Sequence, residues 1–422
     1  MISLLDMSGT SVRAIDFSDA DVIVVGAGFA GSVIARELAE RAQKKVIVIE
    51  QRPHIGGNAF DKFDETGVLI HAYGPHIFHT ISQRAYEYLS RFTEWYNYSH
   101  EVLADIHGVY TPVPFNLNSI DLHFDGEKSA LLREKLIATF GMDSKVPIIE
   151  LRSQDDELLG ELADFIYQNV FLYYTQKQWG LAPEEIDPSV TARVPVLVGR
   201  DNRYFQDLYQ GMPLEGYTPL FENMLDHPNI KVCVNLNASE VLQFSAPDFS
   251  IDASFDEVHV CGKPFTGELI YTGPLDFLCN KRFGVLPYRS LDFIYKSIDQ
   301  KHVLPCGTVN YTVSEEYTRI TEYTWLTGQD LEYTTIMEEY PRAFEDLPGQ
   351  VPYYAIISEK NRESYERYFA LFCGLSNFHA LGRLAEYRYF NMDQIVDRAL
   401  VLADRICEKY SEKLAGNDAY DA

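Results

Sequence analysis

No apolar run in the 422 residues approaches the ~20 residues that a membrane span needs. The opening stretch, MISLLDMSGTSVRAIDFSDAD, has neither a basic n-region nor a clean apolar h-region, so no signal peptide is expected. The six cysteines (Cys233, Cys261, Cys279, Cys306, Cys373, Cys407) never fall at CxxC spacing, so reduced thiols and no metal framework are expected. Cytoplasm is the compartment that fits. Positive charge is also scarce: 36 basic against 62 acidic residues leave a formal net charge of −26, which excludes nucleic acid as a partner. A few local arginines still suffice to hold a small anion in a cleft. No repeat and no low-complexity linker interrupts the chain, which is long enough for two or three domains.

Glycine and tyrosine carry the positive signals. Residues 21–50 read DVIVVGAGFAGSVIARELAERAQKKVIVIE. A β-branched run is followed by Gly26, Gly28 and Gly31 at G-x-G-x-x-G spacing, a helical pattern, and a second strand ending on Glu50. Gly26 permits a tight turn, Gly28 lets backbone approach a pyrophosphate, and Gly31 lets helix and strand pack closely. The helix N-terminus attracts phosphate, and Glu50 accepts from ribose hydroxyls. Gly56 and Gly57 in QRPHIGGNAF, followed by Asn58, again let backbone lie against a ligand. Gly382 and Arg383 precede a final amphipathic helix in ALGRLAEYRYFNMDQIVDRALVLADRI. The three pieces in this order indicate FAD, as in proteins that resemble glutathione reductase and the amine oxidases.

Helical periodicity runs through residues 124–170, LIYTGP at 269–274 reads as a return to the nucleotide-binding sheet, and 285–357 alternate as antiparallel strands do. The expected fold is therefore α/β: a discontinuous Rossmann-like FAD-binding domain with a helical insertion and an antiparallel sheet domain. The boundaries expected are an N-terminal extension at 1–20 and an FAD-binding domain at 21–80, 216–280 and 375–415. A helical domain with a mobile lid takes 115–188, and the sheet domain takes 81–114, 189–215 and 281–374.

One stretch is too aromatic for a solvated loop and too polar for a core: YYTQKQWGLAPEEIDPSVTARVPV, residues 173–196. Ten ordered blocks explain it. HIGGNA (54–59), YGPHIFHT (73–80), YTQKQWG (174–180), DNRYF (201–205), YQGMPLEGYT (209–218), YTGP (271–274), RFGVLPYRSLDF (282–293), YTRI (317–320), PYY (352–354) and GRLAEYRY (382–389) make the chain resemble the bacterial UDP-galactopyranose mutases from about Asp21 to Ile406.

The resemblance implies an isomerase that contracts UDP-galactopyranose to UDP-galactofuranose, for cell-surface polysaccharide biosynthesis, through a flavin N5–sugar adduct on reduced FAD. It explains why no Ser-His-Asp set, metal cluster or carboxylate dyad stands out. It implies that Tyr174 stacks on uracil, that Trp179 sits on the lid, and that Arg193 and Arg289 grip the diphosphate. Tyr204, Tyr317 and one or both of Tyr353 and Tyr354 match tyrosines that donate to the diphosphate. His76 and His79 fall beside the isoalloxazine, and His79 stands where members that accept N-acetylated galactose carry arginine, which favours plain galactose. An unidentified electron donor and a homodimer are expected as well.

The chain departs from the family pattern at Pro75, Leu181, Leu197 and Ala355, at NMD (391–393) and at ITEYTWL (320–326). Several of these bear on the substrate cleft, so mutases acting on UDP-N-acetylgalactosamine, UDP-arabinose or dTDP-fucose stand as alternatives. An amine-oxidase-like FAD oxidoreductase is the alternative from a different class, but an amine has no diphosphate for paired arginines to grip.

Overall fold

Val22–Val25, Val46–Ile49 and Glu268–Tyr271 are buried along their whole lengths, as strands covered on both faces must be. In this computed structural model, which describes residues 2–9, 15–180, 194–248 and 250–418, they form the middle of a six-stranded sheet. Its order is Leu4–Asp6, Ile230–Val234, Val46–Ile49, Val22–Val25, Glu268–Tyr271, Phe378–Ala380, and every pairing is parallel. The return of the chain near residue 269 thus lands beside the first glycine-bearing strand. The N-terminal extension is more than an appendage, because Leu4–Asp6 adds an edge strand whose side chains stay exposed.

One face of the sheet packs under the helix Phe29–Arg41 and the final helix Met392–Asp418, which share a core through Val33, Ile34, Leu38, Val396, Ala399 and Ala403. Each large aliphatic side chain fully buried there contributes roughly 1.5–3 kcal/mol. The opposite face is covered through Ile23, Ile47 and Leu269 against Phe255, Leu371 and Phe372.

The second large sheet has seven strands, in the order Tyr354–Ala355, Tyr288–Ile298, Thr334–Ala343, Arg319–Glu322, Thr308–Tyr311, Val102–Ile106, Val109–Val113. It is antiparallel except where Val102–Ile106 runs parallel to Thr308–Tyr311. About two hundred residues of chain separate those two strands, so no hairpin constrains their direction. Helices from Leu117 to Trp179 form a block with its own core of Leu132, Leu136, Leu162 and Ile166. Asn116, Asp125 and Asp156 cap three of them with side-chain oxygens. No helix among the described residues is long and apolar enough to cross a membrane.

The glycine fingerprint folds as its spacing requires, with two different tolerances. A Cβ on Gly31 would lie 1.8 Å from the carbonyl oxygen of Gly26, whereas one on Gly28 would meet nothing closer than the Cα of Gly57 at 3.5 Å. Gly31→Ala is therefore expected to destabilise the protein by about 1–3 kcal/mol, and Gly28→Ala by less than about 1 kcal/mol. Calorimetric melting of both variants checks this, and equal melting temperatures would contradict it.

Candidate active site

The end of Val22–Val25, the N-terminus of Phe29–Arg41 and the turn Gly57–Ala59 enclose a cleft of about 650 Å³. Gly26, Gly28, Glu50, Gly56, Gly57, Asn58, His76, Gly382 and Arg383 all line it; Gly31 does not, because it is buried against Gly26. The floor is bare backbone: a Cβ on Gly57 would sit 2.9 Å from the Cα of Gly28. Glu50 spends one carboxylate oxygen on the N–H of Ala27 (2.9 Å) and the other on that of Arg52 (2.9 Å), which fixes the rim. Arg52 donates from Nη2 to Asn58 (2.9 Å) and lies 4.1 Å over the Tyr73 ring. Its Nη1 is buried with no partner among the described residues. A buried guanidinium nitrogen left unbonded is costly, so the cleft suits a polar, anionic, elongated ligand with its phosphates at the helix N-terminus.

A second cleft, of about 260 Å³, lies between the seven-stranded sheet and the helical block. Tyr174, Tyr204, Tyr353, Tyr354, His76 and His79 line it. Tyr174 belongs to the helix Tyr173–Trp179, which follows a π-helical turn, Tyr167–Leu172. That turn shifts the register so that Tyr174, Thr175 and Gln178 line the cleft. The helix is pinned by two cations on backbone carbonyls. Lys177 Nζ donates to the carbonyls of Tyr311 (2.5 Å), Glu315 (2.8 Å) and Tyr317 (3.2 Å). Arg289 donates from Nε to Gln178 (2.9 Å) and from Nη2 to Lys177 (3.0 Å), and burial lowers its pKa. Both bonds suit the negative C-terminal end of a helix.

Arg289 is therefore held against the helix in this structure and does not line the cleft; neither does Tyr317, which packs edge-on to Tyr311 and Tyr340. Arg193 and Leu181 lie outside the described residues, and so does the side chain of Trp179. Residues not expected from the sequence also line the cleft: Gln178, Phe205, Arg319, Tyr389 and Asn391. Tyr389 and Asn391 had a signal, since one ends the EYRY block and the other opens the departure NMD.

Histidines cluster where the clefts meet. The backbone N–H of His76 donates to Nδ1 of His71 (2.9 Å), and His76 Nδ1 lies 2.9 Å from the carbonyl of Gly74. Since a carbonyl only accepts, that Nδ1 carries the proton and Nε2 has a lone pair. His79 stacks on Phe205 (3.5 Å between ring centres) and bonds through Nδ1 to the carboxylate of Asp207. Asn58, His76, Arg383, Asn391 and Met392 line both clefts.

A family model described as UDP-galactopyranose mutase matches residues 169–389, and one described as an NAD(P)-binding Rossmann-like domain matches residues 24–92. A probable UDP-galactopyranose mutase of Klebsiella pneumoniae is 35% identical over 387 residues, which are 91% of this chain and 94% of that one. The chain belongs to the UDP-galactopyranose mutase family. The family is one of isomerases, and its cofactor is FAD, which the glycine floor and the unbonded Arg52 nitrogen fit. The UDP-galactopyranose mutase of Mycoplasma pneumoniae is 32% identical over 93% of this chain and 98% of its own. A dTDP-fucopyranose mutase of Escherichia coli is 32% identical over 90% of this chain and 97% of its own. A crystal structure of reduced UDP-galactopyranose mutase superposes with a TM-score of 0.61 at 15% identity, covering 92% of this chain and 95% of the other. At that identity the superposition speaks for the fold alone.

Burial pushes His71, His76 and His100 down to a pKa of about 3. Unfolded, each titrates near 6.5, so below that value the unfolded chain binds protons that the folded chain refuses. The stability that these neutral rings carry is fully present above about pH 6.5 and is lost as pH falls toward 3. Each histidine weakens folding by about 1.4 kcal/mol per pH unit within that window. Denaturant titrations from about pH 6 to pH 4 are expected to show this steep loss, and His100→Asn to shallow it by about one proton. An unchanged slope in His100→Asn would contradict the assignment.

Proposed function

We propose that this protein is an FAD-dependent mutase that converts UDP-galactopyranose to UDP-galactofuranose. The observation that carries this reading is the junction, where five residues line both clefts, so a sugar in the smaller cleft meets the reacting ring of a cofactor in the larger. When bound and reduced, the flavin supplies the nucleophile that displaces UDP from the anomeric carbon. The chain's own residues bind, orient and exclude water. Tyr174 stacks on the uracil, as the family resemblance implies, and Tyr204, Tyr353 and Tyr354 offer hydroxyls to the diphosphate. The family resemblance assigns Arg193 and Arg289 to the charge that grows on departing UDP; with the helix as it stands, Arg289 spends Nε and Nη2 on the helix that carries Tyr174 and so fixes that ring. His76, neutral, presents Nε2 as an acceptor at the junction, while His79 is oriented by Asp207. In this reading residues 21–80, 216–280 and 375–415 hold the cofactor, and the 115–188 and sheet segments hold the nucleotide sugar.

The relative named as a dTDP-fucopyranose mutase gives the second reading, a mutase of the same type on another nucleotide sugar. The test is to reduce the FAD-loaded protein with dithionite and offer it UDP-galactose, UDP-N-acetylgalactosamine, UDP-arabinose and dTDP-fucose. The expected product is a furanose nucleotide of unchanged mass from UDP-galactose, over many turnovers, without stoichiometric use of reductant. Turnover of dTDP-fucose alone would establish the second reading. Activity of the oxidised flavin alone, with an oxidised product, would replace both with an amine-oxidase-like reaction.

A further inference from the structure

Five of the buried polar atoms that lack a hydrogen-bond partner among the described residues belong to one cleft: Gln178 Oε1, Thr308 Oγ1, Asn310 Oδ1, Thr312 Oγ1 and Arg319 Nε. Gln178, Thr308 and Thr312 are each more than nine-tenths buried. Unsatisfied polar atoms are costly and rare in native cores, so their convergence here marks a surface shaped for a polar ligand. Arg319 is the charged member. Of the arginines and lysines lining this cleft among the described residues, Arg383 also lines the flavin cleft and donates Nε to the carbonyl of Phe390; Arg319 lines the substrate cleft alone.

Arg319 sits directly across from Glu339 on the neighbouring antiparallel strand. The pair is a single contact, Nη2 to Oε1 at 3.0 Å, with the same oxygen shared by the Thr318 hydroxyl at 3.1 Å. A pair kept only for structure gains most from the two-pronged fork that arginine and carboxylate allow. Here the fork is not formed, Nε stays unbonded, and the side chain keeps 24% of its surface accessible while Glu339 keeps 1%.

Resting on the nucleotide-sugar reading above, we propose that Arg319 is a further substrate-binding residue whose guanidinium takes the diphosphate, with Glu339 as the built-in carboxylate that holds it ready. The anion then bonds nitrogens that Glu339 leaves over, and Glu339 competes with it for the same charge. Burial opposes the charge on Arg319, but the surrounding groups, Glu339 foremost among them, together outweigh it and raise the pKa of the guanidinium.

The competition makes the test directional. UDP binding to FAD-loaded protein is measured by titration calorimetry for the native chain, Arg319→Met, Arg319→Lys and Glu339→Gln, with flavin content and melting temperature as fold controls. Arg319→Met is expected to weaken UDP by about 10- to 100-fold, the loss of one charge-assisted contact. Arg319→Lys should restore part of it, since lysine keeps the charge without the planar fork. Glu339→Gln should tighten UDP several-fold, because it removes the competing carboxylate and leaves the cation. If Glu339→Gln and Arg319→Met weaken UDP alike, the pair is structural and the inference is overturned. Unchanged affinity in a folded, flavin-loaded Arg319→Met overturns it too. A native chain that binds no UDP sinks the functional reading itself, a failure distinct from either.

Discussion

The contact between the Gly26 carbonyl and Gly31 is the constraint on which the rest of the molecule depends. With only 1.8 Å available to a Cβ, helix Phe29–Arg41 is drawn against the end of strand Val22–Val25, closer than any side chain allows. That approach aims the helix N-terminus at the larger cleft and lets the turn at Gly56 and Gly57 fold over it. It also sets where the final helix can pack, since that helix shares its core with Phe29–Arg41 and brings Met392 to the cleft wall. The junction between the clefts inherits its geometry from this stack of backbone against backbone.

The smaller cleft is organised by charge on carbonyls more than by apolar packing. Lys177 ties the helix Tyr173–Trp179 to the turn that leads into Tyr317, Thr318 and Arg319, while Arg289 ties the same helix to the edge of the seven-stranded sheet. Tyr174 on one wall and Arg319 on the other are thus positioned by two cations that both bond backbone carbonyls.

The parts of the fold that were legible in the sequence are those specified by local backbone. The glycine spacings, the strand–helix–strand order and the return near residue 269 each follow from conformations that neighbouring residues dictate. The edge strand Leu4–Asp6 was not legible, because three exposed residues carry no periodicity and the pairing partner lies more than two hundred residues away. The same holds for the parallel pairing of Val102–Ile106 with Thr308–Tyr311. In the site, a matched block says which residues arrive and leaves open which way a long side chain turns. Arg289 arrives in its block and spends its guanidinium on the helix; Tyr317 arrives and packs beside Tyr340. Arg319, two residues along the same YTRI block, opens the strand Arg319–Glu322 and lines the cleft together with Glu339, its partner directly across the ladder.

The central claim is that two clefts, one for the cofactor and one for the nucleotide sugar, meet at Asn58, His76, Arg383, Asn391 and Met392. The most direct measurement is a crystal structure of the FAD-loaded, reduced protein soaked with UDP-galactose. The account predicts flavin over the glycine floor, the sugar against the five shared residues, and the nucleotide running outward along Tyr174. Density for the nucleotide sugar away from those five residues, or for the flavin outside the cleft floored by Gly28 and Gly57, would contradict it.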